Sequence, residues 1–194
     1  MNIGEARKIY SAKIGEFWDK KLELAQKKKD LEARRGLASD DGGKFSEEAA
    51  VLELSYNAVT EKYEEYKSFM AKIMEMHSCI ANAESAKQQG EAMKEYGVEM
   101  SKLLEVARRI SRGATVPAQD EKKLMDYSME LYMSAKNMAM LNKMKEKEEC
   151  DSLWDDEEEP KERESAMDIA DSKEIAFDAP ELVDVADVMP SAEG

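Results

Sequence analysis

The side chains best suited to chemistry in this sequence are a single histidine and two cysteines. His77 is followed two residues later by Cys79, and Cys150 lies far away along the chain. Residues two apart on a helix point in different directions, so His77 and Cys79 would not form a thiol–imidazole pair. A metal site needs several converging ligands, and this spacing provides none. The sequence therefore predicts no metal ion and no nucleophile with a neighbouring base.

Adjacent carboxylates are another group that enzymes use. Glu47-Glu48, Glu64-Glu65 and Glu148-Glu149 are of this kind, but they lie between the apolar positions of predicted helices. Enzymes bury paired carboxylates to shift their pKa values, whereas these pairs belong on solvated faces. Gly42-Gly43-Lys44 lacks the remainder of a phosphate-binding loop. We therefore expect a protein that is not an enzyme and uses no cofactor.

Apolar residues recur at helical spacing through most of the first 150 residues, and such a seam is typical of coiled coils. The seam of the first segment repeats every seven residues: Ile3, Tyr10, Phe17, Leu24 and Leu31. The seam of the second segment steps by three and four: Ala49, Leu52, Tyr56, Val59, Tyr63, Tyr66, Met70, Ile73, His77 and Ile80. A similar but weaker seam follows Pro117. These patterns predict three long helices, at about residues 3–35, 46–112 and 118–150.

The predicted fold class is all-α, as an elongated antiparallel bundle or coiled coil of about three long helices. Gly90 leaves two alternatives for the middle helix, a continuous helix or a break, because glycine costs about 1 kcal/mol relative to alanine in a helix. The methionines of the third segment share one broad helix face, so we expect most of them in the core of the bundle.

Acidic residues are concentrated at the C-terminal end. Residues 150–194 contain 16 acidic and three basic residues, a net charge of −13, whereas residues 1–149 contain 27 acids and 26 bases. A segment so charged and so poor in apolar residues does not bury enough surface to offset its ordering entropy. We therefore predict a helical domain at residues 1–150 and a disordered acidic tail at residues 151–194.

Two apolar islands interrupt this tail and have the composition of short docking motifs. One is a leucine–tryptophan pair, and the other spans residues 181–189 between two prolines. The second island could align its apolar side chains either on a short helix or on an added strand, and both forms stay open. The residues predicted to bind a partner are Leu153, Trp154, Leu182, Val185, Val188 and Met189.

These features predict a protein–protein interaction module, such as an adaptor, a scaffold or a chaperone-like helical protein. A seam left uncovered would favour a homo-oligomer. The alternative function is regulation of nucleic-acid machinery, with the tail as a polyanion mimic. Basic clusters such as Lys27-Lys28-Lys29 lie in a nearly neutral region, so nucleic acid is not an expected partner. No secretory signal or apolar stretch of about 18 residues is visible, so we expect a cytoplasmic protein without a membrane partner.

Overall fold

The computed structural model describes residues 1–37, 44–142, 149–155 and 162–189. The regular structure in these ranges is helical, with isolated bridges but no strand, which confirms the predicted all-α class. The helices are α1 (Ile3–Leu37), α2 (Lys44–Ser111), α3 (Ala118–Tyr127), α4 (Met129–Leu141), α5 (Ala166–Ser172) and α6 (Val185–Val188).

The described residues belong to two compact units. Unit 1 comprises Met1–Glu84 and Glu164–Gly194, and unit 2 comprises Ser85–Arg163, so that α2 contributes to both. This division differs from the predicted boundary at residue 150, because part of the C-terminal region packs with each unit. The predicted loop residues 38–43 and the acidic run at 156–161 lie outside the described residues.

α1 begins with a reciprocal cap. The Asn2 side chain accepts a hydrogen bond from the Glu5 amide at 2.8 Å, and the Glu5 carboxylate accepts one from the Asn2 amide at 3.2 Å. This arrangement satisfies amide groups that a helix start leaves without partners. From there the predicted seven-residue seam is buried at every position: Ile3, Tyr10, Phe17, Leu24 and Leu31.

In unit 1 the seam of α1 packs against that of α2. The rings of Tyr10 and Tyr66 lie 5.5 Å apart, while Arg34, near the end of α1, pairs with Glu48, near the start of α2. Residue numbers thus rise along one helix as they fall along the other, so the two helices run in opposite directions. His77 is buried at its predicted seam position.

α2 is continuous through Gly90, which decides between the two alternatives for this position. A methyl group at Gly90 would have no atom within 4 Å, so no close packing requires glycine there. The helix ends before Gly113, whose φ of +88° lies in the left-handed region that glycine adopts readily.

The third predicted helix is divided. α3 ends at Tyr127 and α4 begins at Met129, because Ser128 has an extended backbone and its side chain accepts a hydrogen bond from the Leu131 amide. Serine is a preferred N-cap, so it starts a new helix where the seam alone indicated continuation. The core of unit 2 joins these helices to the end of α2: Leu103, Val106, Ala107, Ile110, Val116, Leu124, Ala135 and Trp154.

The expected core position of most methionines of the third segment is wrong for α4. α4 buries Ala135 and packs Leu131 and Tyr132 against the core of unit 2, so its methionines remain in solvent. The exposed methionines of α4 are Met129, Met133, Met138 and Met140. In α2, by contrast, Met70 and Met76 pack against the core of unit 1.

The predicted disordered tail also differs from the structure. Residues 149–155 and 162–189 include two short helices, and Trp154 and Ala170 are buried. The apolar residues of this region are too few to form a core of their own, but they add to cores that the helices already provide. Ser165 starts α5 by accepting a hydrogen bond from the Met167 amide.

Candidate functional site

Residues 173–189, which we call the strap, lie along the surface that α1 and α2 form in unit 1. Main-chain hydrogen bonds fix the beginning of the strap. The Ile3 amide donates to the Lys173 carbonyl at 2.9 Å, and the Ile175 amide donates to the Met1 carbonyl at 3.4 Å. The strap therefore starts beside the first residues of the chain.

Apolar side chains of the strap extend the core between α1 and α2. The ring of Phe177 meets that of Phe69 edge to face, with centres 5.5 Å apart. Such aromatic pairs contribute about 0.5–1.5 kcal/mol beyond the area they bury. The strap residues that pack against this core are Ile175, Phe177, Val183, Val185, Val188 and Met189.

Two buried tyrosines hold the main chain of the strap. The Tyr10 hydroxyl donates to the Pro180 carbonyl at 2.5 Å. The Tyr66 hydroxyl donates to the Glu181 carbonyl at 2.8 Å and accepts from the Val183 amide at 3.0 Å. Burial, followed by the nearby Tyr66 and Glu65, raises the pKa of Tyr10, so its hydroxyl remains a donor at neutral pH.

An ion pair follows this tyrosine pair along the strap. The Lys13 ammonium lies 2.7 Å from Asp184 and 2.9 Å from Glu16. The bond to Asp184, and then that to Glu16, raises the pKa of Lys13. The same bond to Lys13 lowers the pKa of Asp184. Both groups therefore stay charged at neutral pH, and the site favours a carboxylate at this point.

His77 contributes to the contact between α5 and the long helices. Arg7 donates to Asp171 at 2.8 Å, while the His77 Nε2 atom lies 3.2 Å from Asp171 and 3.3 Å from Arg7. The histidine is thus a buried seam residue with two polar partners. Arg7 and Asp171 also line a groove of about 950 Å³ whose apolar wall includes Met70 and Met74.

In unit 2, the Trp154 segment (residues 149–155) lies on α2 and α3. The Trp154 ring is 7% exposed, and its indole nitrogen donates to Glu99 at 2.9 Å. The ammonium of Lys123 lies 4.1 Å from the ring centre, and that of Lys102 lies 5.4 Å away. The residues around Trp154 therefore provide both an acceptor for the indole N–H and cations for the ring face.

Asp120 on α3 holds the main chain just before this tryptophan. Its carboxylate is fully buried, and it accepts hydrogen bonds from the Ser152 hydroxyl at 2.7 Å and from the Leu153 amide at 3.1 Å. The Cys150 amide donates to the Thr115 carbonyl at 3.0 Å. Unit 2 thus fixes its segment by main-chain hydrogen bonds, as unit 1 does.

The structure places most of the predicted docking residues on the chain's own helices. Leu153 and Trp154 belong to the core of unit 2, while Val185, Val188 and Met189 pack in unit 1. The exception is Leu182, which is 45% exposed. The docking segments were predicted from the sequence, but the residues of the helices that contact these segments were not. Tyr10 and Tyr66 nevertheless indicated the binding surface, because they lie on the predicted buried seams and buried tyrosine hydroxyls usually have a hydrogen-bond partner.

Several residues of the basic clusters pair with acids of the helices. Arg108 and Arg109 both pair with Glu105, and Lys28 pairs with Glu53. Arg109 also donates to the Asp151 carbonyl, a main-chain oxygen rather than a carboxylate. The alternative role in nucleic-acid machinery, with the acidic tail as a polyanion mimic, stays a prediction.

In the described ranges, no group of three or more His, Cys, Asp or Glu side chains is placed to hold a metal ion. Likewise, none of the helices in the described part of the chain is long and apolar enough to cross a membrane. Comparisons with protein-family models, curated proteins and solved structures give no match.

Proposed function

We propose that the protein is a non-enzymatic protein–protein interaction module, of the adaptor, scaffold or chaperone-like kind. One observation carries the proposal: each apolar island of the C-terminal region is seated on a helical surface that binds its main chain as well as its side chains. Surfaces of this kind recognise short linear segments. The proposed module acts in the cytoplasm through coiled-coil-type helix pairs that present these two surfaces.

The strap is suited to exchange rather than to permanent structure. It has little regular structure, and Glu181, Asp184 and Asp187 are exposed, with Asp184 paired to Lys13 at the surface. A segment at the surface can open locally at a free energy below that of global unfolding. A partner segment can therefore use the same surface when the strap is displaced.

Photo-crosslinking in an extract of the source cells tests this function. A photoreactive amino acid replaces Glu16, on α1 beside Lys13, in one variant and Leu54 on α2 in the control, since both side chains are more than half exposed. We expect a defined partner protein to crosslink from Glu16, and an excess of synthetic strap peptide to suppress the product. Crosslinks within the chain alone, or equal products from both positions, would contradict the proposed function.

A further inference from the structure

We propose that the surface holding the strap in unit 1 is a peptide-binding site for an extended acidic–apolar segment of a partner protein. This inference rests on the proposed function and specifies the chemistry of the partner. The site consists of Tyr10, Lys13, Tyr66 and Phe69, and the strap occupies it in competition with the partner segment.

The tyrosines recognise extended main chain, whatever its side chains. In an extended peptide, the carbonyl of one residue and the amide of the residue two positions later face the same side. Tyr66 bonds these two groups of the strap, the Glu181 carbonyl and the Val183 amide. A hydroxyl can donate one hydrogen bond while it accepts others, so one side chain replaces the edge of a neighbouring strand. A helical segment would not present these groups together.

The side chains around the tyrosines add a sequence preference. Val183 and Val185 pack against the core of unit 1, and Asp184 between them reaches Lys13. Leu182 is 45% exposed, so the preceding position is not selected. The site therefore favours the order apolar, acidic, apolar, with a free carbonyl two residues before the first apolar residue.

The charge of Lys13 distinguishes this partner from a basic or neutral peptide. The ammonium lies between two carboxylates, one from its own helix and one from the strap. A lysine or arginine at the position of Asp184 would face Lys13 and lose the ion pair. Rejection of like charge gives a site its specificity as much as attraction does.

A charge-reversal experiment on the full-length protein tests the site. The probe is a fluorescein-labelled peptide with the sequence of residues 178–189, and binding is followed by fluorescence anisotropy. In the wild type the strap competes with the probe, because a tethered segment acts at an effective concentration of about millimolar. The Asp184→Lys variant releases its own strap but keeps Lys13, so we expect it to bind the probe about tenfold more tightly or better.

The reciprocal variant controls for nonspecific loosening. Lys13→Glu also releases the strap, but we expect it to bind the original probe at least tenfold more weakly than Asp184→Lys does. It should instead prefer a probe with lysine at the position of Asp184. For the main-chain contact, Tyr66→Phe in the Asp184→Lys background should weaken binding by about tenfold. Tyr63→Phe, whose ring contacts Trp18 instead, should leave binding unchanged.

Three results would overturn the proposal. One is equal probe binding by wild type and Asp184→Lys, with helix content unchanged by circular dichroism. Another is binding that ignores the sign of the charge at residue 13. The third is a wild-type dimer, seen by light scattering, that Asp184→Lys dissociates, because the occupant would then be the strap of a second copy. A crosslinked partner from Glu16 without probe binding would retain the proposed function and reject this site alone.

Discussion

The buried carboxylate of Asp120 provides a quantitative test of how the C-terminal region is held. Asparagine keeps the size of the side chain but offers one acceptor oxygen where aspartate offers two. The variant Asp120→Asn therefore cannot accept from both the Ser152 hydroxyl and the Leu153 amide. We expect it to destabilise unit 2 and to release the Trp154 segment.

The size of the expected loss in stability follows from the hydrogen-bond partners of Ser152. If the new amide accepts from Leu153, its NH₂ group faces the Ser152 oxygen, which already accepts from Gln119 at 2.8 Å and from the Trp154 amide at 3.2 Å. One hydrogen bond to a carboxylate, worth about 1.5–3 kcal/mol, is lost, and the serine hydroxyl loses its acceptor. We expect the free energy of unfolding of unit 2 to fall by about 2 kcal/mol.

The fluorescence of Trp154 gives a direct assay. The chain has two tryptophans, and Trp18, which is 43% exposed, is replaced by phenylalanine in all samples so that Trp154 reports alone. Urea unfolding then gives the midpoint of unit 2, and acrylamide quenching gives the accessibility of the ring in the folded state. Asp126→Asn, an exposed acid on the same helix, is the matched control.

A midpoint for Asp120→Asn equal to that of Asp126→Asn, together with unchanged quenching, would refute the reasoning. The carboxylate would then not hold the segment. Increased quenching at an unchanged midpoint would show that the segment detaches without contributing to the stability of unit 2, which contradicts the predicted 2 kcal/mol loss.

Further predictions concern unit 1. The pKa of Asp184 is lowered in the folded state, so its ion pair contributes its full stability at pH values above 3.8, the ordinary pKa of this carboxyl group. The pKa of Lys13 is raised, so the same ion pair contributes its full stability at pH values below 10.5, the ordinary pKa of this ammonium group. The difference in urea midpoint between wild type and Asp184→Asn should therefore be constant between these values, and vanish as the pH falls through the lowered pKa of Asp184. Gly15→Ala should raise the free energy of unfolding by about 1 kcal/mol, because its methyl group meets no atom within 4 Å. Gly4→Ala should gain less in the same denaturation assay, since its methyl group would lie 3.2 Å from Asp171; equal gains would place α5 away from Gly4.

The helices of unit 1 could be predicted from spacing because one physical rule determines them. Side chains seven residues apart return to nearly the same face of a helix, so Phe17 and Leu24 had to share one buried side. The division at Ser128 escaped this rule, since the seam continues across it and only the capping preference of serine distinguishes the site. Exposure of the α4 methionines also could not be predicted, because it depends on how much partner surface is available.

The docking of the tail could not be predicted from its composition alone. The entropy argument considers the whole tail, residues 151–194, in isolation, where Phe177 and Val183 find nothing to pack against. To predict the docking of the tail, it is necessary to know how much apolar surface the seams of the other helices leave uncovered. A sharper signal lay in Tyr10 and Tyr66, because a seam closed only by apolar side chains would leave their hydroxyls without partners.

The charge that keeps the tail from folding alone also explains how the strap can regulate its own site. Because the segment is rich in acids and poor in apolar residues, its apolar side chains are buried only where another surface accepts them. The contact that Tyr66 and Lys13 make with the strap is the same contact they would make with a partner segment. The two occupants differ mainly in effective concentration, which the tether fixes for the strap and the cell sets for the partner. If the proposed site exists, its response would be governed by how firmly Asp184 and its neighbours hold the strap.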